Sequence, residues 1–297
     1  MEVECIRHKD IDYDGWQDCT DNSVNASLYS RTWFLDSISK DWQGLVLGDY
    51  EAVMPLFVSQ GKVYLPEFMD FTGVYCGRLP VKETVPKFLK FISSNFKYAD
   101  IRLDKFSGFQ DKETSGQKMQ YLYQFDTVNS LKDRLPDTSE RVKRLMMKLS
   151  GDGFCFQKIS DSVFLEAFMR VNSKRPFKQI DAVGRIVSGA VKNKSCVAFF
   201  LSDKNDNAAG MVTAFFDSNY IYVQQLDVVS TFEETAGQMI MLYHILTYFE
   251  GSPLVLVVDP HKLHVSESLL QGMGAKKFGY VNFRKDRFSF IKKLLKL

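Results

Sequence analysis

The sequence predicts a mixed α/β fold (α+β, with hairpins as well as parallel neighbours in its sheets), built from two copies of one strand–helix unit. Three observations carry this. The stretch from Asn207 to Lys277 reads strand, strand, helix, strand, helix. The same order of elements recurs in the first half of the chain. The run Leu254 to Val258 (LVLVV) is short, continuous and apolar, as a strand covered on both faces must be.

Each element of that stretch has a local cause. Ala208 to Phe216 (AAGMVTAFF) is rich in strand formers, and Asp217-Ser218-Asn219 is turn chemistry. Tyr220 to Val229 (YIYVQQLDVV) is a second strand, so the two are expected to pair as a hairpin. Thr231-Phe232-Glu233-Glu234 has the pattern of a capping box. The helix it opens carries Ala236, Met239, Ile240, Tyr243, Leu246 and Phe249 at helical spacing, and Gly251-Ser252-Pro253 stops it. A further helix is expected from Val265 to Gly272, closed by Gly274-Ala275.

The rest of the chain follows in order. Val3 to Arg7 is a short strand, and a helical region runs from there to Ser23 with Ile11, Trp16 and Cys19 as buried candidates. Ser30 to Ile38 is a short helix anchored by Trp33 and Phe34. Leu45 to Leu47 and Glu51 to Val58 form a hairpin whose Pro55 marks an edge or a bulge. After Gln60-Gly61 comes the strand Lys62 to Leu65. Lys82 to Phe96 presents Val85, Phe88, Leu89, Ile92 and Phe96 on one helical face, with strands at Tyr98 to Leu103 and Met119 to Phe125. Thr138 to Lys148 is a capped helix with Arg141, Lys143, Arg144 and Lys148 on its wet side. Phe288 to Leu297 reads as a last strand with a ragged tail.

Aligning the halves by element gives the duplication. Leu45–Val58 corresponds to Val197–Ala214, Val63–Leu65 to Ile221–Val223, the helix at Lys82 to that at Glu233, and Ile101–Lys105 to Leu256–Pro260. Two domains, 1–135 and 136–297, are therefore expected.

Composition excludes several classes. With 45% hydrophobic and 25% charged residues the chain has the make-up of a globular protein, and a net charge of +2 gives no broad nucleic-acid footprint. Five cysteines, none in a C-x-x-C pair, argue against a disulfide framework or zinc site and for a reducing compartment. MEVECIRHKD has no signal-peptide character, and no run approaches the about 18 apolar residues of a membrane span, so a cytoplasmic location is expected. G-x-G-x-x-G, P-loop, H-E-x-x-H and G-x-S-x-G motifs are absent.

The element order from Asn207 to Lys277 resembles the acetyl-CoA-binding half of the GNAT N-acyltransferases, where a strand leads into a phosphate-binding helix. Over nearly the whole chain the sequence is similar to the Fem-type peptidoglycan-bridge aminoacyltransferases and related tandem GNAT proteins. Ser139, Arg144 and Lys148 loosely match the basic helix with which those enter their second domain. Asp259 to Lys276 looks like their final helix, and Tyr29–Asp36 with Gly48–Leu56 resembles the opening of members of the group.

The resemblance implies a chemistry and a site. In this fold two parallel strands splay, and backbone amides of the first hold the thioester and pantetheine arm. That strand here is Gln224 to Val229, with Gln225, Leu226 and Val228 as donor-binding positions. The following helix offers free amides and its positive dipole end to the pyrophosphate, which assigns Thr235, Ala236, Gly237 and Gln238 to the same cofactor. The candidate catalytic groups are Tyr222, Asp227 and Asp259, with His261 and His264 nearby. Each also has a plain structural use: strand packing for Tyr222, turn chemistry for the aspartates, solvation for the histidines.

Two positions depart from the pattern. The glycine-rich loop is replaced by Glu233-Glu234-Thr235-Ala236-Gly237-Gln238, which sets carboxylates where an anionic cofactor would lie, and the usual tyrosine acid of the last helix is Leu270. The implied activity is transfer of an acyl group from a thioester donor, acetyl-CoA or another acyl-CoA, to a primary amine on a small molecule or peptidoglycan precursor. Two alternatives stay open: a Fem-type transferase fed by aminoacyl-tRNA, with tRNA as partner, and a non-catalytic GNAT-like binding protein.

Overall fold

A computed structural model describes residues 1–77, 81–104, 107, 119–129, 136–171, 177–229 and 234–286 of the chain. It divides into two compact units, one of residues 1–120 with 279–297 and one of residues 121–278. Residues 279–286 of the described chain thus belong to the first unit. No helix is long and apolar enough to cross a membrane among the described residues.

The first unit contains β1 (Val3–Arg7), α1 (Tyr13–Asp21), α2 (Thr32–Ile38), β2 (Gln43–Leu47), β3 (Ala52–Ser59), β4 (Lys62–Tyr64), β5 (Tyr75–Cys76), α3 (Val81–Asn95) and β6 (Tyr98–Leu103). Strands β1, β2, β3 and β4 pair antiparallel in that order, and β4 runs parallel to β6. The apolar stripe of α3 buries Val85, Phe88, Leu89 and Ile92 against Leu45, Met54, Val63 and Ile101. Truncating Phe88, which has no exposed surface, to alanine costs about 3–5 kcal/mol. Pro55 sits inside β3, paired with Gly44 of β2 on one side. On the other side β5 pairs with Ala52 and Val53 and β4 with Phe57 to Ser59, so the missing proline N–H falls between the two ladders.

The second unit begins in β7 (Met119–Asp126) and continues through α4 (Pro136–Gly151), β8 (Cys155–Lys158), α5 (Phe164–Val171), α6 (Phe177–Lys192), β9 (Cys196–Ser202), β10 (Ala208–Phe216), β11 (Tyr220–Val228), α7 (Glu234–Tyr248), β12 (Val255–Val258) and α8 (Glu267–Gly272). The last strand, β13 (Lys276–Asp286), leaves the second unit at residue 279. Strands β8, β9, β10 and β11 pair antiparallel in succession, and β11 runs parallel to β12.

The expected duplication is present as topology. The series β2-β3-β4-α3-β6 in the first unit repeats as β9-β10-β11-α7-β12 in the second. Each parallel pair is completed by an antiparallel strand from the other half of the chain: β13 pairs with β6, and β7 with β12.

One expectation needs adjustment. Helix α7 is not amphipathic, because Ala236 through Leu242 are all buried, together with Ile245 and Leu246. An all-round apolar helix is one covered on several sides. The helices α5 and α6 and strand β8 had no counterpart in the sequence reading. Glu233 and residues 288–297, for which a cap and a strand were expected, lie outside the described residues.

Candidate active site

The site is built where β11 and β12 part. Their parallel ladder covers Tyr220 to Tyr222 against Val255 to Val257, and β12 ends one residue later. Beyond Tyr222, β11 continues for six residues to Val228 along β10. In open α/β sheets ligands sit outside the carboxyl ends of parallel strands, where neighbours diverge.

The sequence of β11 sets what faces this opening. Its ladder with β10 shifts between Thr213 and Ala214, whose partners are Gln225 and Val223, so Gln224 is the extra residue of a bulge. The bulge switches the alternation of the strand. Ile221 and Val223 face the apolar cluster beneath α7, and after the bulge Leu226 and Val228 do. Gln225 and Asp227 are thereby turned to the opposite face, where the Gln225 amide donates to Asp227 Oδ2. The hydroxyl of Thr213, cross-strand from Gln225, is buried without a hydrogen-bond partner. Such a group has been taken from water with no hydrogen bond in exchange.

The loop after β12 closes over the same end. Asp259 is 3% exposed, and its Oδ1 accepts from the backbone N–H of His261 at 3.0 Å and of Lys262 at 3.2 Å. Leu263 and Val265 are buried. His264 adopts φ +52°, and its carbonyl accepts from Gln238 Nε2 of α7 at 3.2 Å. The Lys262 ammonium donates to Gln224 Oε1 at 2.6 Å, joining the loop to the bulge.

The structure thus brings Gln225, Asp227 and Asp259 to one end of the β11–β12 pair, with Lys262 and Gln224 between them. Leu226 and Val228 supply backbone there while their side chains pack on the α7 side. Tyr222 lies in the closed part of the ladder, with its hydroxyl donating to Asp217 Oδ2 at 3.2 Å in the turn that begins β11, at the far end of the strand. Ala236, Gly237 and Gln238 are buried at the start of α7, while Glu234 and Thr235 are exposed there. The histidines His261 and His264 are exposed. Leu270 is fully buried.

Lys262, Gln224 and Thr213 were not singled out from sequence. The adjacent glutamines in an otherwise apolar strand are a legible bulge signal, whereas a loop lysine is indistinguishable from a solvated one.

The first unit handles the equivalent position differently. Past β4 the chain folds back so that Thr72 forms a parallel bridge to Leu103, donating to Arg102 O and accepting from Asp104 N, both at 2.8 Å. Asp104, the counterpart of Asp259, accepts from Ser107 N and Oγ at 2.7 Å and from Asn25 Nδ2 at 2.6 Å. In the first unit, backbone therefore runs beside the end of β6, past the last residue that β4 pairs with it.

Other polar groups serve other ends. Burial, and then the Glu267 carboxylate, push the Tyr123 phenol up from its ordinary value, and its hydroxyl donates to Glu267 at 2.5 Å. Hydrogen bonds from Tyr123 and Lys277 hold Glu267 below the usual carboxylate range. A cavity of about 340 Å³ bordered by Lys158, Glu166, Arg170 and Phe200, and one of about 260 Å³ that also touches Lys158, lie at the β8–β9 edge and not beside β11. No group of three or more His, Cys, Asp or Glu among the described residues is arranged to hold a metal.

No family model matches the sequence. No curated protein matches it either. Solved structures do match. L-PGS from Bacillus licheniformis superposes with a TM-score of 0.60 at 9% identity, over 96% of this chain and 96% of its own. FemX gives 0.57 at 11%, over all of both chains. A tandem GNAT protein from the clavulanic acid biosynthesis pathway gives 0.55 at 11%, over 95% of this chain and 98% of its own. At such identities the likeness establishes the fold, and the fold is tandem GNAT-like.

Proposed function

We propose that the protein is an N-acyltransferase that moves an acyl group from a thioester donor, acetyl-CoA or another acyl-CoA, to a primary amine. The observation that carries this is the parting of β11 from β12 after Tyr222, beside a bulge that turns Gln225 and Asp227 to the sheet face opposite α7. In this reading the β11 backbone at Gln225, Leu226 and Val228 lies along the donor. The first turn of α7, Thr235 to Gln238, lies toward its phosphates. Asp227 orients the incoming amine, with the buried Thr213 hydroxyl as a further polar contact. Asp259 fixes the loop that carries Lys262. Tyr222 acts through packing.

The reaction needs little covalent help from the protein. The amine lone pair attacks the thioester carbonyl, the carbon–nitrogen bond forms, and the tetrahedral oxyanion collapses to expel the thiolate. Holding the two reactants in line supplies much of the acceleration. The backfolded chain at Thr72 favours the second unit over the first as the place of the donor.

A second reading, an aminoacyl-tRNA donor, is favoured by one feature. Arg141, Arg144 and Lys148 of α4 are exposed, a row of cations suited to phosphates, while Glu234 opposes an anion at α7. The test is ligand-dependent thermal stability: a donor at 100 times its Kd stabilises by about 2.7 kcal/mol. Acetyl-CoA at millimolar concentration raises the melting temperature and, with a panel of primary amines, releases free thiol. No shift with CoA or acetyl-CoA, together with a gel shift by charged tRNA, would replace the first reading with the second.

A further inference from the structure

We propose that Lys262 is the group that stabilises the developing oxyanion by its charge. The inference rests on the thioester reading above and names the residue that acts at that site. Lys262 is placed as a working group must be, on a fastened loop. Asp259 holds the backbone N–H groups of His261 and Lys262, Leu263 and Val265 anchor the following residues in the core, and the left-handed His264 delivers its carbonyl to Gln238. Three attachments around one residue fix where its side chain departs.

From there the ammonium reaches the bulge of β11 and meets Gln224 Oε1 at 2.6 Å. The bulge residue Gln224 lies two residues past Tyr222, the last residue of β11 paired with β12. An amide oxygen at the ammonium is the kind of partner a polarised carbonyl oxygen replaces. When the amine attacks, that oxygen takes the electron pair of the carbonyl double bond and becomes fully negative. A fixed cation gains far more with this oxyanion than with the ground-state carbonyl, and that difference accelerates the step. Lys262 keeps its proton throughout. The attacking nitrogen releases its own to water, and the departing thiolate is protonated from water.

The probe is a trifluoromethyl ketone analogue of acetyl-CoA, whose hydrate carries a tetrahedral oxygen in place of the thioester carbonyl. Calorimetry would compare it with CoA for the wild type, Lys262→Met, Lys262→Arg and Gln224→Leu, each checked by circular dichroism. The wild type binds the analogue at least tenfold tighter than CoA. Lys262→Met loses about 100-fold on the analogue, as expected for one oxyanion contact, and less than twofold on CoA. Lys262→Arg keeps most of the preference, and Gln224→Leu, which removes the amide oxygen that the ammonium meets, loses an intermediate amount. An unchanged preference in Lys262→Met overturns the assignment while leaving the thioester reading in place. A wild type that binds neither ligand overturns both.

Discussion

Acidification will destabilise the second unit through His244. This ring lies on α7, stacked on Phe156 with centroids 3.6 Å apart, and its Nε2 is buried without a hydrogen-bond partner. Burial alone lowers its pKa from 6.5 to about 4. The unfolded chain therefore binds a proton that the folded chain refuses, and stability rises with pH across that window. The contribution is fully present above pH 6.5 and is lost as pH falls toward 4. At 1.36 kcal/mol per pH unit a sealed ring would give about 3 kcal/mol, and about 2 after allowing for the edge that water reaches. The comparison is urea unfolding of the wild type and His244→Phe at pH 7.5, 6.5, 5.5 and 4.5. Titrations common to both proteins cancel in the difference. Phenylalanine keeps the stacking and removes the orphaned nitrogen, so the variant should match or exceed the wild type at pH 7.5. It should then gain about 2 kcal/mol on it by pH 4.5, equivalent to about 4–8 °C in melting temperature for a unit of this size. Parallel stability curves would show that His244 takes up its proton in the folded state as easily as in the unfolded one, and would refute the argument.

Three further outcomes are expected. Gly73→Ala in the first unit places a Cβ against Asp104 Oδ2 and Cγ and near Asn25 Nδ2, so a buried carboxylate must leave its partners; chemical denaturation should show about 3 kcal/mol lost. Gly210→Ala drives a Cβ into Met241 Cε and to 2.8 Å from the backbone oxygen of Asp227; the methionine can yield but the strand cannot, so about 1–3 kcal/mol of stability and much of the donor affinity should go, read by melting and calorimetry. Replacing Arg141, Arg144 and Lys148 together by glutamine should change stability by less than about 0.5 kcal/mol and leave CoA binding intact. A loss of tRNA binding with a shallower salt dependence in that variant would instead support the second donor.

What the sequence disclosed follows from how local each cause is. The hairpin before α7, the apolar run of β12 and the stripe of α3 are written in periodicity and turn residues, and all are found where expected. The repeat of these elements was also visible, because hairpin, helix and strand recur at similar separations. The partners of β7 and β13 were not visible: each pairs with a strand of the other half, and pairing over that distance leaves no local mark. The region of α5 and α6 was missed although α5 buries Phe164, Ala167 and Phe168 at helical spacing, a signal that its short length conceals. Gln225, Asp227 and Asp259 were legible as polar residues in or just after apolar strands. Lys262 was not, since only the folded loop carries it to Gln224.

The account turns on where a thioester donor meets the chain, and amide hydrogen exchange with and without acetyl-CoA measures this directly. Slowed exchange is predicted from Val223 to Val228 and in the loop at Lys262, with the strands β4 and β6 unchanged. Protection at β4 and β6, or none along β11, would contradict it.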